Sequence, residues 1–410
     1  MLRFALAPSF LLLEGALFAQ AVLNVGPGGF AQIQTAINAA ANGDVIVIQT
    51  GTYQPFTLTK DLTLTAAPGA AVEVLSPVSP FAGPTIVQPN SLATLTGLRF
   101  RAPVLAIVPS DVRVLGGTVH FADCVFESSR TTLIAPPGLL VQDANVALQR
   151  CLVFGGGIDG TVLPGSGAGS DGLAAVHAKV AAVDCAFFGG NLGWDWTGHG
   201  GHGVLVDDSD VHLANCLAVG GSNDGINPGW PPGDGVHIAT PSHVWLADCD
   251  LHGGVGHGHV GGAGLANTGG GAANEARSTF VGGPGVPAGP AVIGPLATSA
   301  LLGFIGTTPP VVLGTTWTIV HRTAPGTPVL ALWSGALAPA VLPLVDEPAW
   351  LPASAFAAAG AGVTDASGQL VFTFAVPANP TLLHAPVFVQ SFAGAVLPLA
   401  ASPPVGGVIR

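Results

Sequence analysis

A chain of 410 residues is long enough for two domains, and a formal charge of -12 with only two lysines removes any electrostatic ground for binding nucleic acid, an anionic membrane or an acidic polymer. With 59 glycines, 35 prolines and 8% charged residues, the composition describes turns and short strands rather than helices, while a hydrophobic fraction of 49% excludes bulk disorder. After residue 21 no stretch offers 18 apolar residues free of Gly, Pro and charge, so no membrane span is expected.

Residues 1–21 read as a secretory signal: Arg3, an apolar run from Phe4 to Leu13 and small residues in Ala19-Gln20-Ala21, with Glu14 a departure from the pattern. The chain is therefore expected to be secreted or at the cell surface. Phe30, Ile33, Ala36, Ile37 and Ala40 then recur at helical spacing, which predicts a helix over 29–42 that ends at Asn42-Gly43. Val45 to Ile48 follows at once as a buried strand, and Thr50-Gly51 turns the chain. One helix ahead of many strands is a lid, because an open-ended solenoid otherwise exposes its apolar interior and an unpaired strand edge.

Five cysteines fall on one repeated phrase: Val119-His-Phe-Ala-Asp-Cys124, Val146-Ala-Leu-Gln-Arg-Cys151, Val180-Ala-Ala-Val-Asp-Cys185, Val211-His-Leu-Ala-Asn-Cys216 and Val244-Trp-Leu-Ala-Asp-Cys249. A phrase recurring every 27 to 34 residues marks a solenoid of stacked coils. The flanking apolar residues extend the register to Ala67, Leu98 and Ser278, giving about eight coils over 22–283. Gly97, Asp123, Arg150, Asp184, Asn215 and Asp248 precede the inward position, and Gly, Asn and Asp tolerate the left-handed backbone, so this column is a sharp corner between two strands that Arg150 departs from in chemistry. Gly-Gly closes the next strand at 155/156, 189/190, 220/221, 253/254 and 282/283. The cysteines are expected to be free and buried, since side chains in one column point the same way and the count is odd.

The stretch from Gly29 to Tyr53, with Ala-Gln-Ile-Gln-Thr-Ala-Ile-Asn-Ala-Ala at 31–40 and Asp-Val-Ile-Val-Ile at 44–48, resembles the N-terminal cap of the pectin-lyase-like right-handed parallel β-helix proteins. The resemblance implies an all-β triangular coil of three short strands per turn. It assigns no activity, because that superfamily holds lyases, hydrolases, epimerases, tailspikes and adhesins. Gly201-His202-Gly203 and Asp207-Asp208 are similar to polygalacturonase motifs but stand in the wrong order, and Val244-Trp-Leu-Ala-Asp248 lacks the arginine motif that follows in pectate lyases.

Three segments at the coil edge carry the richest chemistry: 191–202, 222–234 and 255–260. Asp171-Gly172, His202-Gly203 and Asp234-Gly235 stand 14, 14 and 15 residues ahead of their cysteines, which aligns Asp171, His202 and Asp234 in one column as candidate catalytic acid and base groups. Asp-Gly and His-Gly pairs also make tight turns without any catalytic duty. Trp194, Trp196 and Trp230 offer flat faces for stacking on a sugar ring, with Asp195 and Asp224 accepting hydroxyl hydrogens, or else anchor their own loops. His252, His257 and His259, joined by His199 or His202, form a transition-metal set on paper, but the glycine around them favours solvated loop histidines, so neither a metal nor another cofactor is expected. His212 and Trp245 form a second, flatter outward column.

Residues 284–310 are rich in Pro, Gly and Ala and read as a linker; the alternating strands within 311–410 predict a β-sandwich with Trp317, Trp333 and Trp350 in its core, suited to carbohydrate binding, surface attachment or capping the open coil end. The functional expectation is a glycan-recognising β-helix that binds a polysaccharide or cell-surface glycan, neutral rather than pectic, with glycoside hydrolysis favoured over polyuronate cleavage if it is an enzyme. The other class is a non-catalytic adhesin or envelope component.

Overall fold

Alternation decides the architecture. Val119 and Phe121 in the strand Thr118–Ala122, Cys124 at the corner and Phe126 in the strand Val125–Glu127 point inward and are fully buried, yet strands this short cannot close a core alone. In the computed structural model, which describes residues 20–76, 84–102, 112–128, 135–157, 169–191, 199–223, 231–299, 303–307, 311–343 and 345–410, each such strand is stacked on its equivalent from the next coil. Among the described residues the result is a nearly all-β parallel solenoid with three sheets: a first of eleven strands that holds Thr118–Ala122, a second of nine that holds Val125–Glu127 and a third of nine that holds Leu139–Gln142. Val119, Val146, Val180, Val211 and Val244 pair position for position in the first sheet. Among the described residues no helix is long and apolar enough to cross a membrane.

The cap helix is shorter than the sequence implies, Ile33–Ala39, and buries Ile33, Ala36 and Ile37 over the first coil. Lys60 ends it: its ammonium donates to the carbonyls of Ile37, Asn38 and Ala40 at 2.8, 3.1 and 2.6 Å, a cation on the unpaired C-terminal carbonyls. At the other end the solenoid does not stop at 283. Val292–Ile293 and Ala297–Thr298 pair onto the third and first sheets, so much of the segment expected as a linker is coil; lacking the cysteine phrase, it hid its register. One further correction falls near the start. Val72, not Ala67, stands opposite Leu98, because Pro68-Gly69 widens that corner.

The first corner is built as its residue types require. Asp123, Arg150, Asp184, Asn215, Asp248 and Arg277 all take φ between 50 and 58°, and Gly97 takes 74°. The arginines are held there by two-point pairing with the aspartate one coil earlier, Arg150 to Asp123 at 2.7 and 2.9 Å and Arg277 to Asp248 at 2.9 and 2.5 Å. All five cysteines are free and buried in one file, each thiol donating to a carbonyl.

Two antiparallel sheets form the C-terminal domain: Phe304–Thr307, Thr316–Arg322 and Gln369–Ala375 in one, and Ala357–Val363, Pro328–Ser334, Pro386–Ala393 and Ala400–Ala401 in the other, with Val405–Val408 also on Pro386–Ala393. Trp317 and Trp350 are buried, and Trp333 is half-buried. This domain lies against the flank of the solenoid. Val183, Ala214, Trp245, Ala247 and Ala276 share one apolar cluster with Trp317, Ile319, Val389 and Val405, and Ala147 and Ala181 another with Trp350 and Phe388. The Gln149 side-chain oxygen accepts the Gly406 amide at 3.0 Å. Trp245 is thus an interface residue and His212 is buried beside it, so the two do not form an open column.

Inside this domain, burial pushes the Glu347 carboxyl up from 4.5 to about 8, although it accepts the Ala401 amide at 2.6 Å. A raised folded value means stability that is complete below pH 4.5 and lost as pH rises through 8, at up to about 1.4 kcal/mol per unit. Glu347→Gln keeps an acceptor without the charge. It is expected to raise the melting temperature at pH 8 and flatten the profile from there to 4.5; a variant less stable than the parent at pH 8 would contradict this.

Candidate functional site

At the loop edge, between the second and third sheets, glycine removes the side chains that would keep neighbouring backbones apart. Ser170 donates to the Gly156 carbonyl, Gly190 to Ser170, Gly201 to Gly190, Gly221 to Gly201, Gly233 to Gly221, Gly254 to Gly233, Gly262 to Gly254, Gly283 to Gly262 and Gly289 to Gly283, all between 2.7 and 3.0 Å. A Cβ on Gly190, Gly201 or Gly233 would stand 1.9 Å from the nearest carbonyl oxygen. This seam ties the start and return of each edge loop together, as the Gly201-to-Gly190 bond does for 191–200.

Beside the seam the structure brings Asp171, His202 and Asp234 into one column, as their spacing predicts. The His202 amide donates to Asp171 Oδ1 at 2.7 Å, the Asp234 amide to His202 Nδ1 at 3.0 Å, and the Ala263 amide to Asp234 Oδ1 at 2.7 Å. Each side chain therefore joins its coil to the next. Burial pushes the Asp171 carboxyl up to about 6 and, together with the charge of His237, the His202 imidazole down to about 4. The Asp234 amide needs a lone pair on His202 Nδ1, so the neutral ring carries its proton on Nε2.

His237 joins this column with no repeat to announce it. It stands on Val236–Ile238, opposite Leu205 and Ala266 in register, and its Nδ1 lies 2.7 Å from Asp234 Oδ2 while Nε2 meets the Thr268 hydroxyl at 3.3 Å. Its ring stacks on His202 with centroids 4.4 Å apart. A spacing of three from Asp234 across a turn was the available signal. Among the described residues it is His202, Asp234 and His237, not the set around His257 and His259, whose donor atoms gather within 4.8 Å. Trp194, Asp195 and Trp196, like Asp224 and Trp230, lie outside the described residues.

A second polar row occupies the opposite end of the third sheet. Asp143, His177 and Asp208 take the left-handed backbone at the corner into the first sheet, with His177 3.8 Å from Asp143 and 3.6 Å from Asp208. Lys179 and His243 flank Asp210 at 2.5 and 3.1 Å. Together with Asn145 and Ser242 they line an open groove of about 550 Å³ across four successive coils, within the range of small-ligand sites.

Fold and edge together define a parallel β-solenoid with polar rows on both sides of its third sheet. No family model and no curated protein matches the chain. Among solved structures, the enzymatically active domain of bacteriophage CBA120 tailspike protein 2 is similar over 92% of this chain and 73% of that one, at 9% identity and a TM-score of 0.32. A likeness at that level adds nothing to what the strand pairing shows directly.

Proposed function

We propose that the chain is a secreted glycan-recognition protein of the broad pectin-lyase-like class, holding a neutral polysaccharide along the rod axis in the corner groove. The supporting observation is that groove: equivalent polar residues from four successive coils around about 550 Å³. A polysaccharide repeats its hydroxyls unit by unit, and a coil rise of about 4.8 Å is close to the advance of one hexose. Carboxylates of Asp143, Asp208 and Asp210 accept hydroxyl hydrogens, while Lys179 donates. The net charge of -12 repels an acidic polymer. By residue type alone, Trp194, Trp196 and Trp230 would add stacking faces for sugar rings, and Asp195 and Asp224 acceptors for their hydroxyls.

Recognition without cleavage is favoured by the column at that edge, where Asp171, His202 and Asp234 each spend an atom on the next coil's amide. Asp171 and Asp234 are two coils apart, about 10 Å by strand spacing, at the wide limit for an inverting hydrolase pair. The test is calorimetric titration of the protein with a panel of neutral polysaccharides, alongside an assay for new reducing ends. The triple variant Asp143→Asn, His177→Asn, Asp208→Asn keeps residues that accept the left-handed backbone. It is expected to weaken binding at least tenfold with little change in melting temperature. Binding to no polymer, or equal binding by the variant, rejects the groove; new reducing ends favour the hydrolytic version.

A further inference from the structure

We infer that His202, Asp234 and His237 form a binding site for a divalent transition ion of the zinc class. The inference does not rest on the glycan reading, since the site is at the loop edge and the groove at the opposite end of the sheet. His237 Nδ1 and His202 Nδ1 lie 2.7 and 3.6 Å from Asp234 Oδ2, and the donor atoms of the three residues all fall within 4.8 Å of one another. Ligands about 2.1 Å from a tetrahedral ion stand about 3.4 Å apart. The His202–Asp234 edge at 3.6 Å already has that spacing, and the His237–Asp234 edge at 2.7 Å, a hydrogen bond without the ion, has to open slightly. Two imidazoles and one carboxylate suit zinc, cobalt or nickel and leave a coordination position for water or ligand.

The surroundings orient the donors as an ion requires. Asp234 Oδ1 is fixed by the Ala263 amide at 2.7 Å, which aims Oδ2 at the imidazoles. With His237 Nδ1 on the ion, its Nε2–H donates to the Thr268 hydroxyl 3.3 Å away, the outer hydrogen bond that metal-bound histidines ordinarily have. The Asp234 amide keeps the proton off His202 Nδ1, leaving the tautomer whose lone pair an ion can take over from that amide. Both rings stand stacked on consecutive coils with centroids 4.4 Å apart, so turning the rings about their side-chain torsions, without moving the coils, closes the triangle. Side-chain exposures of 16, 14 and 22% leave the site shielded yet open to an ion.

The experiment uses the full chain after chelator treatment. One equivalent of Zn²⁺ is expected to bind and raise the melting temperature, and Co²⁺ to give the visible absorption of a low-symmetry nitrogen and oxygen site. His237→Leu places there the residue that Leu205 already supplies one coil earlier, and Asp234→Asn keeps an oxygen for the Ala263 amide, so both variants should fold. Each is expected to lose about a hundredfold or more in Zn²⁺ affinity, since loss of an outer hydrogen-bond partner alone costs about 10- to 100-fold. Absence of stoichiometric binding in the parent, or binding kept by both variants, overturns the proposal; the latter would move the ion to His257 and His259. Polysaccharide binding measured in the presence of chelator tells this failure apart from failure of the glycan reading.

Discussion

Gly201→Ala is expected to cost on the order of 4 kcal/mol or more, enough to unfold the loop edge at ordinary temperature. The new methyl would stand 1.9 Å from the Ser170 carbonyl oxygen and 2.2 Å from its carbon, both backbone atoms. Neither can swing aside as a side chain would. Relief needs a backbone shift of more than 1 Å, and the seam passes that shift along, because Gly201 donates to Gly190 and accepts from Gly221. Gly407→Ala is the control, since a Cβ there meets nothing within 4 Å. Thermal and denaturant melts of the two variants decide the matter: similar stability for both would mean the seam yields.

Acidification is expected to loosen the C-terminal domain from the solenoid. His120 and His212 on the first sheet and His321 in the domain are fully or nearly fully buried, and burial lowers them from 6.5 to about 3, 3 and 4. His120 packs edge-on against Phe388, and neither of its nitrogens has a protein hydrogen-bond partner; His321 is bonded through Nδ1 to Ser391 at 2.6 Å. Arg150 and Asp123 bear on His120 with opposite effect, and Arg277 lowers His321 further. A depressed folded value means stability that is complete above pH 6.5 and lost as pH falls toward 4, at up to about 1.4 kcal/mol per unit for each group. Glu347 and Asp171, both pushed up by burial, pull the opposite way. The histidine contribution is isolated by His120→Leu with His212→Leu, which is expected to lose markedly less stability than the parent between pH 6.5 and 4. Fluorescence of Trp245 and Trp317, both in the interface cluster, is the readout. Parallel profiles for parent and variant would show that these imidazoles do not govern docking.

The solenoid was legible because its determinants are local and repeated: an inward valine, a left-handed residue, then a small buried thiol. The docked flank is written in the same phrase, in its outward positions. Ala147 and Ala181 stand in one outward column of the first sheet and Ala214, Ala247 and Ala276 in the other, and small residues recurring on an outer face signal that something approaches closely. Alternation tells which way a side chain points, not what covers it. At the candidate site, chain spacing aligned Asp171, His202 and Asp234, whereas His237 occupies a position held by leucine and alanine in the neighbouring coils, so no repeat announced it. The Gly-Gly pairs were visible as punctuation. Their close packing depends on backbone from two coils at once, which no single repeat reveals.

Fastening each excursion at its root separates two tasks that most folds entangle. Whatever sequence is spliced between Gly190 and Gly201, or between Gly221 and Gly233, begins and ends at the same knots, so its length places little demand on the coils above and below. Such a rod tolerates rapid replacement of its fringe while the shaft stays fixed. Grafting an unrelated peptide between those anchors should leave the remaining rungs in register.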